Sequence, residues 1–170
     1  MGQDQRAYRS ALSGFATGVT VVSTASRGGF HATTANSFTS VSLSPQLVLV
    51  CLTTGSRTLT AIGSSGFFAV SVLSSAQEDL SSHFASRGRP HGSAGLAGTR
   101  FTLDRHGCPR FTGSTASFAC RVHDVLPGGD HVIVLGEVAA YTSQPGADPL
   151  LFHDGRYARI QPEAALELAG

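Results

Sequence analysis

The chain has 170 residues and a mass of 17.6 kDa, the size of one domain that can bury its own core. Hydrophobic residues make up 41% of it and charged residues 14%, so disorder driven by charge repulsion is excluded. Its 12 basic and 11 acidic side chains leave a formal charge of +1 and form no long block of either sign, which argues against a nucleic-acid partner and a polybasic membrane anchor.

All 12 basic residues are arginines. The absence of lysine excludes a Schiff-base lysine, a lysine general base and the lysine of a Walker-type phosphate loop. Any phosphate must therefore be bound by arginine, by hydroxyl groups or by backbone N–H groups.

The three cysteines, Cys51, Cys108 and Cys120, form an odd set without C-x-x-C spacing, and the first residues show no basic start followed by an apolar stretch. This pattern predicts a cytoplasmic protein. The longest apolar run, Leu47 to Leu52, is far shorter than the ~20 residues that a membrane helix requires, so no membrane association is expected.

In chain order, the apolar spacing first predicts an amphipathic helix from Asp4 to Thr17, which stops at Gly18. Two more short helices are predicted, from Ser56 to about Ile62 and from Ser75 to Phe84. Around them, β-branched or aromatic runs bounded by Gly, Ser and Pro predict strands. These runs are Val19 to Thr24, Phe30 to Ser37, Leu47 to Leu52 and Phe67 to Leu73.

The second half begins with a glycine-rich stretch from Arg87 to Arg100, which predicts a long mobile loop. Two hairpins follow. The longer one has arms from Thr115 to Leu126 and from His131 to Thr142 around a turn at residues 127–130, and the shorter one runs from Leu150 to Ile160 and turns at Asp154-Gly155. The tail from Pro162 to Gly170 is consistent with one or two helical turns or with a frayed end.

About seven strands with antiparallel connections and few helices predict a mainly β fold, a closed or nearly closed β-barrel with helices at its ends. No fixed repeat and no linker is visible. We therefore expect a single domain over residues 1–170, with a folded core of about residues 5–160 and a C-terminal tail at residues 161–170.

Several active-site motifs are absent, among them G-x-S-x-G, H-E-x-x-H and the Walker phosphate loop. No metal site is predicted, because a zinc site would have to be assembled from distant strands.

The segment from Thr33 to Ser42 places seven polar side chains on a strand that runs into a turn. Such small hydroxyl and amide groups leave the backbone open to a flat heterocycle, such as an isoalloxazine or a purine. A solvent-facing strand rich in threonine is the alternative.

The segment from Thr53 to Thr58 has the composition of an anion site. It precedes a predicted helix whose first N–H groups are unpaired, Ser56 and Thr58 add hydroxyl groups, and Arg57 adds positive charge. The alternative is an ordinary N-cap formed by Ser56. A third segment, Gly128 to His131, sets a histidine beside an aspartate in a hairpin turn, which is either a surface feature or a functional one.

In this order these segments resemble the flavin reductase family, short NAD(P)H-dependent oxidoreductases that use FMN or FAD and serve two-component monooxygenases. The similarity covers most of the chain. The matching segments are Phe15 to Val22, Thr34 to Ser42, Leu47 to Leu52, Ser56 to Thr58, Phe68 to Val70, Gly129 to His131, Gly136 to Val138, Pro149 to Phe152 and Gly155 to Tyr157.

The resemblance implies an FMN-binding split β-barrel of Greek-key type that works as a homodimer, with flavin at the subunit interface. It implies that His131 is catalytic and faces the nicotinamide of NADH or NADPH. The cofactor-binding residues that it implies are Thr34, Ala35, Asn36 and Ser37 along the isoalloxazine, Ser56 and Thr58 at the phosphate with Arg57 for charge, and Cys51 nearby. Tyr157 and the loop from Arg87 to Arg100 are candidates to cover the site.

The implied reaction is hydride transfer from C4 of the reduced nicotinamide to flavin N5, after which the reduced flavin passes transiently to a partner monooxygenase. The alternatives are a flavin-dependent oxidase or oxygenase that retains its flavin, and a non-catalytic flavin-binding protein. Two departures from the family pattern leave the substrate preference and the choice between FMN and FAD open. Just ahead of the Thr-Ala-Asn-Ser run, where a glycine is usual, the chain reads His31-Ala32-Thr33, and Gly55 replaces a commoner serine.

Overall fold

The structure is a computed structural model that describes residues 3–161. The predicted tail at residues 162–170 lies outside this range, and the single domain over residues 1–170 stays a prediction. The helices are α1 (Gln3–Ser13), α2 (Arg57–Ser65), α3 (Glu78–Ala85) and a 3₁₀ helix (Gly92–Leu96). The strands are β1 (Thr17–Gly18), β2 (Thr20–Ser26), β3 (Gly29–Ala35), β4 (Thr39–Leu43), β5 (Gln46–Thr53), β6 (Phe67–Val72), β7 (Phe101–Leu103), β8 (Pro109–Phe111), β9 (Ala116–Gly128), β10 (His131–Ser143), β11 (Leu151–His153) and β12 (Arg156–Ala158).

Seven of the strands form one antiparallel sheet in the order β3-β2-β6-β9-β10-β5-β4, which confirms the mainly β prediction. The sheet is not closed by backbone hydrogen bonds, because β3 and β4 are its edge strands. Only residues 36–38 connect these two edges, and a link of that length spans roughly 14 Å at most. The sheet is therefore strongly curled. The sequence predicts a closed or a nearly closed barrel, and the closed form is wrong.

The core consists of two apolar clusters, one on each face of β2. Successive residues of a strand point to opposite faces, so Val22 packs in the first cluster and Val21 in the second. The first cluster fills the curled sheet and includes Ile62 of α2, and the second lies between the sheet and α3 with the 3₁₀ helix. The first five residues of β2 are therefore buried on both faces of the sheet.

Gly136 on β10 permits the closest packing in the first cluster. A Cβ atom at this position would lie 2.4 Å from Cζ of Phe68, which is too short for any real contact. The Phe68 ring therefore packs directly against the backbone of β10, and the Gly136-Glu137-Val138 segment has a structural reason for its glycine.

The two hairpins and the helices α2 and α3 lie close to where the sequence predicts them. The predicted end of α1 at Thr17 is wrong, because α1 ends at Ser13 and Thr17 pairs with β11 as part of β1. α3 begins at Glu78 and not at Ser75, because residues 74–77 form a turn in which Gln77 accepts the backbone N–H of Ser74. Pro127 and Gly128 belong to β9 and not to the turn. The chain tolerates Pro127 there because β9 pairs only with β10 beyond Arg121.

Four strands were not predicted, namely β1, β4, β7 and β8, which are short or rich in serine and proline. The loop predicted from Arg87 to Arg100 contains the 3₁₀ helix. Within residues 3–161 no helix is long and apolar enough to cross a membrane.

Candidate functional site

A groove of about 430 Å³ lies along the end of β3 and the segment that follows it. We call residues 33–37 the ribbon. The ribbon forms one side of the groove, and the ends of β5 and β10 form the other. The groove brings together these predicted site residues: Thr34, Ala35, Asn36, Ser37, Cys51, Ser56 and His131.

The strand register explains this convergence. In the β5–β10 pair His131 lies opposite Thr53, and Ile133 lies opposite Cys51. The tight turn before β10 is possible because Gly129 has a φ of 75°, in the left-handed region that favours glycine. The hairpin therefore carries His131 to the mouth of the groove.

Ser37 joins the ribbon to β5. Its hydroxyl accepts a hydrogen bond from the backbone N–H of Cys51 at 3.0 Å and donates one to the C=O of Cys51 at 2.9 Å. Thr34 is also engaged, because its hydroxyl donates to the C=O of Ser81 on α3 at 2.6 Å. These two hydroxyls hold the ribbon in place, and the C=O of Ala35 accepts a hydrogen bond from the Thr20 hydroxyl. The polar side chains that the ribbon leaves for a ligand are therefore those of Thr33 and Asn36.

His131 is held by its neighbour in sequence. Its Nδ1 lies 2.8 Å from Oδ1 of Asp130, and its Nε2 lies 3.4 Å from the Thr53 hydroxyl. The hydrogen bond from His131, followed by its charge, lowers the pKa of the exposed Asp130 carboxyl. The aspartate thus favours one orientation of the imidazole, in which Nε2 lies toward Thr53 of β5.

Ser56 forms the N-cap of α2, since its hydroxyl accepts the backbone N–H of Leu59 at 3.3 Å. The N-cap alternative is therefore confirmed, although the same residue also lines the groove. Gly55 has a φ of 74°, so the backbone before the cap favours glycine over the serine that is commoner in the family.

Arg57 and Thr58 do not line the groove but a second cavity of about 210 Å³ beside it. Thr58 is only 3% exposed. We call this second space the arginine cavity, because three arginines and two histidines line it. They are Arg57, Arg87, Arg89, His31 and His91.

Tyr157 lies on the other side of the ribbon, in a third pocket of about 280 Å³ that it shares with Phe152 and Ser81. Its hydroxyl is 2.8 Å from the Ser81 hydroxyl. The structure therefore places Tyr157 next to Thr34 and Asn36 but not in the groove that contains His131.

A comparison with protein families matches residues 12–161 to the flavin reductase like domain. The chain belongs to this flavin reductase-like family. Its first 11 residues, which include most of α1, lie outside the match.

Individual relatives support the assignment. A probable flavin reductase of Rhizobium meliloti is 44% identical over 155 residues, which are 91% of this chain and 48% of that protein, so the chain spans about half the length of this relative. The reductase subunit HsaB of a flavin-dependent monooxygenase from Rhodococcus jostii is 39% identical over 94% of this chain and 80% of its own length. The NADH:FAD oxidoreductase SgcE6 of Streptomyces globisporus, solved in complex with NAD and FAD fragments, superposes with a TM-score of 0.87 at 38% identity, over 95% of this chain and 96% of that one.

The geometry of this flavin reductase-like domain fits a flavin nucleotide. The groove and the arginine cavity share the lining residues Thr33 and Ser56, so a space bordered by small polar residues adjoins one bordered by cations. A planar ring with a phosphorylated side chain has the same division into a neutral part and an anionic part. In residues 3–161 no group of three or more metal-ligating side chains occurs.

The sequence did not identify Arg87, Arg89, His31 and His91 as parts of one cavity. From the sequence, His31 was noted only as part of a departure from the family pattern, and Arg87 and Arg89 only as part of a glycine-rich loop. The one available signal was the repeated arginine in a loop of a chain that has few charges.

Proposed function

We propose that this protein is an NAD(P)H:flavin oxidoreductase that reduces FMN or FAD and delivers the reduced flavin to a partner monooxygenase. The observation that carries the proposal is the meeting of the ribbon, Cys51 and His131 in one groove that adjoins the arginine cavity. The similarity to SgcE6 supports the reductase activity, and the similarity to HsaB supports delivery to a monooxygenase.

In this proposal the ribbon binds the isoalloxazine through the backbone of Thr34 to Ser37 and through Asn36. Ser56, Arg57 and Thr58 bind the phosphate, as a hydroxyl-rich helix start beside an arginine does. Cys51 and Tyr157 flank the ring region from the two sides of the ribbon.

When bound, the flavin accepts a hydride from the reduced nicotinamide. The contribution of the protein is therefore orientation more than acid–base chemistry. His131, oriented by Asp130, binds the nicotinamide at the mouth of the groove. No nucleophile or metal is needed for this role.

We also propose that the protein works as a homodimer. Several large apolar side chains are exposed on the single chain, on or just after α1, on β4 and on β10. They are Tyr8, Leu12, Phe15, Leu43 and Tyr141. An isolated helix of 11 residues is marginal in water, so the apolar face of α1 calls for a packing partner. Light scattering coupled to gel filtration should give twice the mass of the chain, and a monomer at micromolar concentration would contradict the proposal.

We propose a cytoplasmic location because the cysteines form no disulfide bond among the described residues. All three cysteines lie within the described residues and are free, which is the usual state in a reducing compartment.

Steady-state kinetics test the central proposal, with NADH or NADPH as the donor and FMN or FAD as the acceptor. We expect turnover with at least one of the four combinations and a flavin that is lost on gel filtration. Absence of turnover with all four would contradict the reductase activity. A yellow protein that keeps its flavin and reduces free flavin poorly would instead favour an oxidase or oxygenase.

A further inference from the structure

The arginine cavity concentrates positive charge in a chain that is nearly neutral as a whole. Arg57 comes from α2, Arg87, Arg89 and His91 come from the loop after α3, and His31 comes from β3. Among the described residues that line the cavity there is no carboxylate. A concave surface with cations of several elements and no counter-ion is complementary to an anion.

Arg89 is fixed in this cavity by two hydrogen bonds. Its Nη1 donates to the C=O of Ser86 at 2.6 Å, and its Nη2 donates to the C=O of Ala32 at 2.8 Å. Burial, and then the charge of Arg57, lowers the pKa of the Arg89 guanidinium. The protein thus holds two like charges near each other, an arrangement that an anion between them would relieve.

The set contains two histidines, the residue type whose charge can change near neutral pH, and of these His31 lies on β3, the strand that runs into the ribbon. Burial lowers its pKa first, and the charges of His91 and Arg57 lower it further. The other charged groups that line the cavity with it are Arg87 and Arg89 of the loop. His83 of α3 is engaged elsewhere, since its Nε2 lies 2.8 Å from the C=O of Gly95.

We propose that His31 makes the arginine cavity a proton-dependent phosphate subsite, in which the imidazole takes up a proton from solvent as a phosphorylated flavin binds. The inference rests on the proposed function and adds to it the residue that distinguishes flavin nucleotides from unphosphorylated riboflavin. The phosphate group is the shared chemistry of FMN and FAD, so either nucleotide occupies the subsite.

The direction of the pH effect follows from linkage. The bound phosphate offsets the repulsion from Arg57 and His91, so the pKa of His31 is higher in the complex than in the free protein. Affinity for the nucleotide is therefore greatest when His31 is protonated and falls as pH rises through the pKa of the complex. Riboflavin has no phosphate, so its affinity does not depend on the protonation of His31.

The test measures dissociation constants of FMN and riboflavin by quenching of flavin fluorescence between about pH 5.5 and 8.5, on either side of an ordinary histidine pKa. The variant is His31→Gln, and the matched control is His123→Gln, an exposed histidine on β9 outside the cavity. The phosphate of FMN itself titrates near pH 6, equally in every variant, so the effect is read from the difference between variant and wild type.

At the acidic end we expect H31Q to bind FMN about tenfold more weakly than wild type, the size of one charge-assisted hydrogen bond. At the alkaline end the difference should shrink to less than about twofold, because wild-type His31 is then neutral. H123Q should match wild type throughout, and riboflavin should bind equally to all three proteins. An FMN profile of H31Q that parallels wild type, or an equal loss for riboflavin, would overturn the proposal.

A second measurement needs no variant. Calorimetric titration of the wild-type protein with FAD in two buffers of different ionisation enthalpy reports proton uptake, and the diphosphate of FAD does not titrate in this range. We expect net proton uptake near neutral pH with FAD and none with riboflavin. Equal proton exchange for both ligands would overturn the subsite while leaving the reductase function intact, whereas failure of the wild type to bind any flavin would overturn the proposed function as well.

Discussion

The side chain of Ser37 is hydrogen-bonded to both backbone polar groups of Cys51, at 3.0 Å to the N–H and at 2.9 Å to the C=O. β4 pairs with β5 through Thr39 opposite Leu49, so continuing that register by two residues places Ser37 opposite Cys51. The Ser37 hydroxyl therefore forms the two hydrogen bonds that the backbone of a paired strand would form, at the point where the chain crosses from β3 to β4. This contact holds the ribbon against β5, whose Thr53 lies opposite His131.

Replacing Ser37 with alanine should lower the free energy of unfolding by about 1–2 kcal/mol, because both backbone groups of Cys51 lose their partner in a half-buried place. Urea denaturation measures the change. Ser40→Ala is the matched control, since Ser40 is exposed on β4, and it should shift stability by less than about 0.5 kcal/mol. Equal stability of the two variants would show that the Ser37 hydroxyl is not structural.

The three thiols should differ in reactivity. Cys51 is half-buried and lines the groove, whereas Cys108 is 0% and Cys120 is 1% exposed. Burial also raises the pKa of the Cys120 thiol to about 12, which disfavours the reactive thiolate. In the folded protein a thiol-specific reagent should modify Cys51 first, and FMN should slow that reaction.

The Cys51→Ala variant provides the control for the labelling experiment, because it should remove the fast phase. Modification that FMN leaves unchanged would argue that the ring does not lie in the groove. The measurement is the time course of thiol modification with and without FMN, checked by the mass of the labelled peptide.

Substitution of His131 by alanine should raise KM for the reduced nicotinamide about tenfold and change kcat by less than about threefold, since the proposed role is binding and not proton transfer. His153→Ala on β11 is the control, because His153 is exposed and borders none of the three pockets. Steady-state kinetics give both constants. A loss confined to kcat would instead assign His131 a part in the chemical step.

Tyr157→Phe removes the partner of the Ser81 hydroxyl, which lies 2.8 Å away on a residue that is 0% exposed. An unpaired hydroxyl in that position should cost about 1–2 kcal/mol in urea denaturation. The control is Ser82→Ala on α3, because Ser82 is exposed and its hydroxyl lies 3.4 Å from the same Tyr157 hydroxyl, so this change should be tolerated. Affinity for FMN should fall as well in Tyr157→Phe if the pocket beside α3 supports the ribbon.

Much of the fold could be predicted because its signals are local. Runs such as Leu47 to Leu52 are β-branched and apolar, and the Asp154-Gly155 and Gly129-Asp130 pairs mark tight turns. The strand β4 was missed because its serines and the neighbouring proline read as a turn. Its strand geometry comes from pairing with β5, which is a contact that the sequence does not display.

The candidate site, like the fold, could be predicted only in part from the sequence. The order of the Thr-Ala-Asn-Ser, Ser-Arg-Thr and Gly-Asp-His segments identified which residues to examine, and the structure brings most of them to one groove. The arginine cavity was not foreseen, because Arg57 and His31 approach Arg89 only after the loop docks on Ala32 of β3. No spacing rule encodes that docking.

The sequence alone determined the family, the strand-forming runs and the turn that carries His131, because each depends on residues that are neighbours in the chain. Tertiary structure decided which polar groups remain available to a ligand. Thr34 donates to Ser81 and Ser37 is bound to Cys51, whereas the cations of the arginine cavity face a shared space. A hydroxyl bonds to whichever backbone group lies within about 3 Å, and only packing brings those groups together.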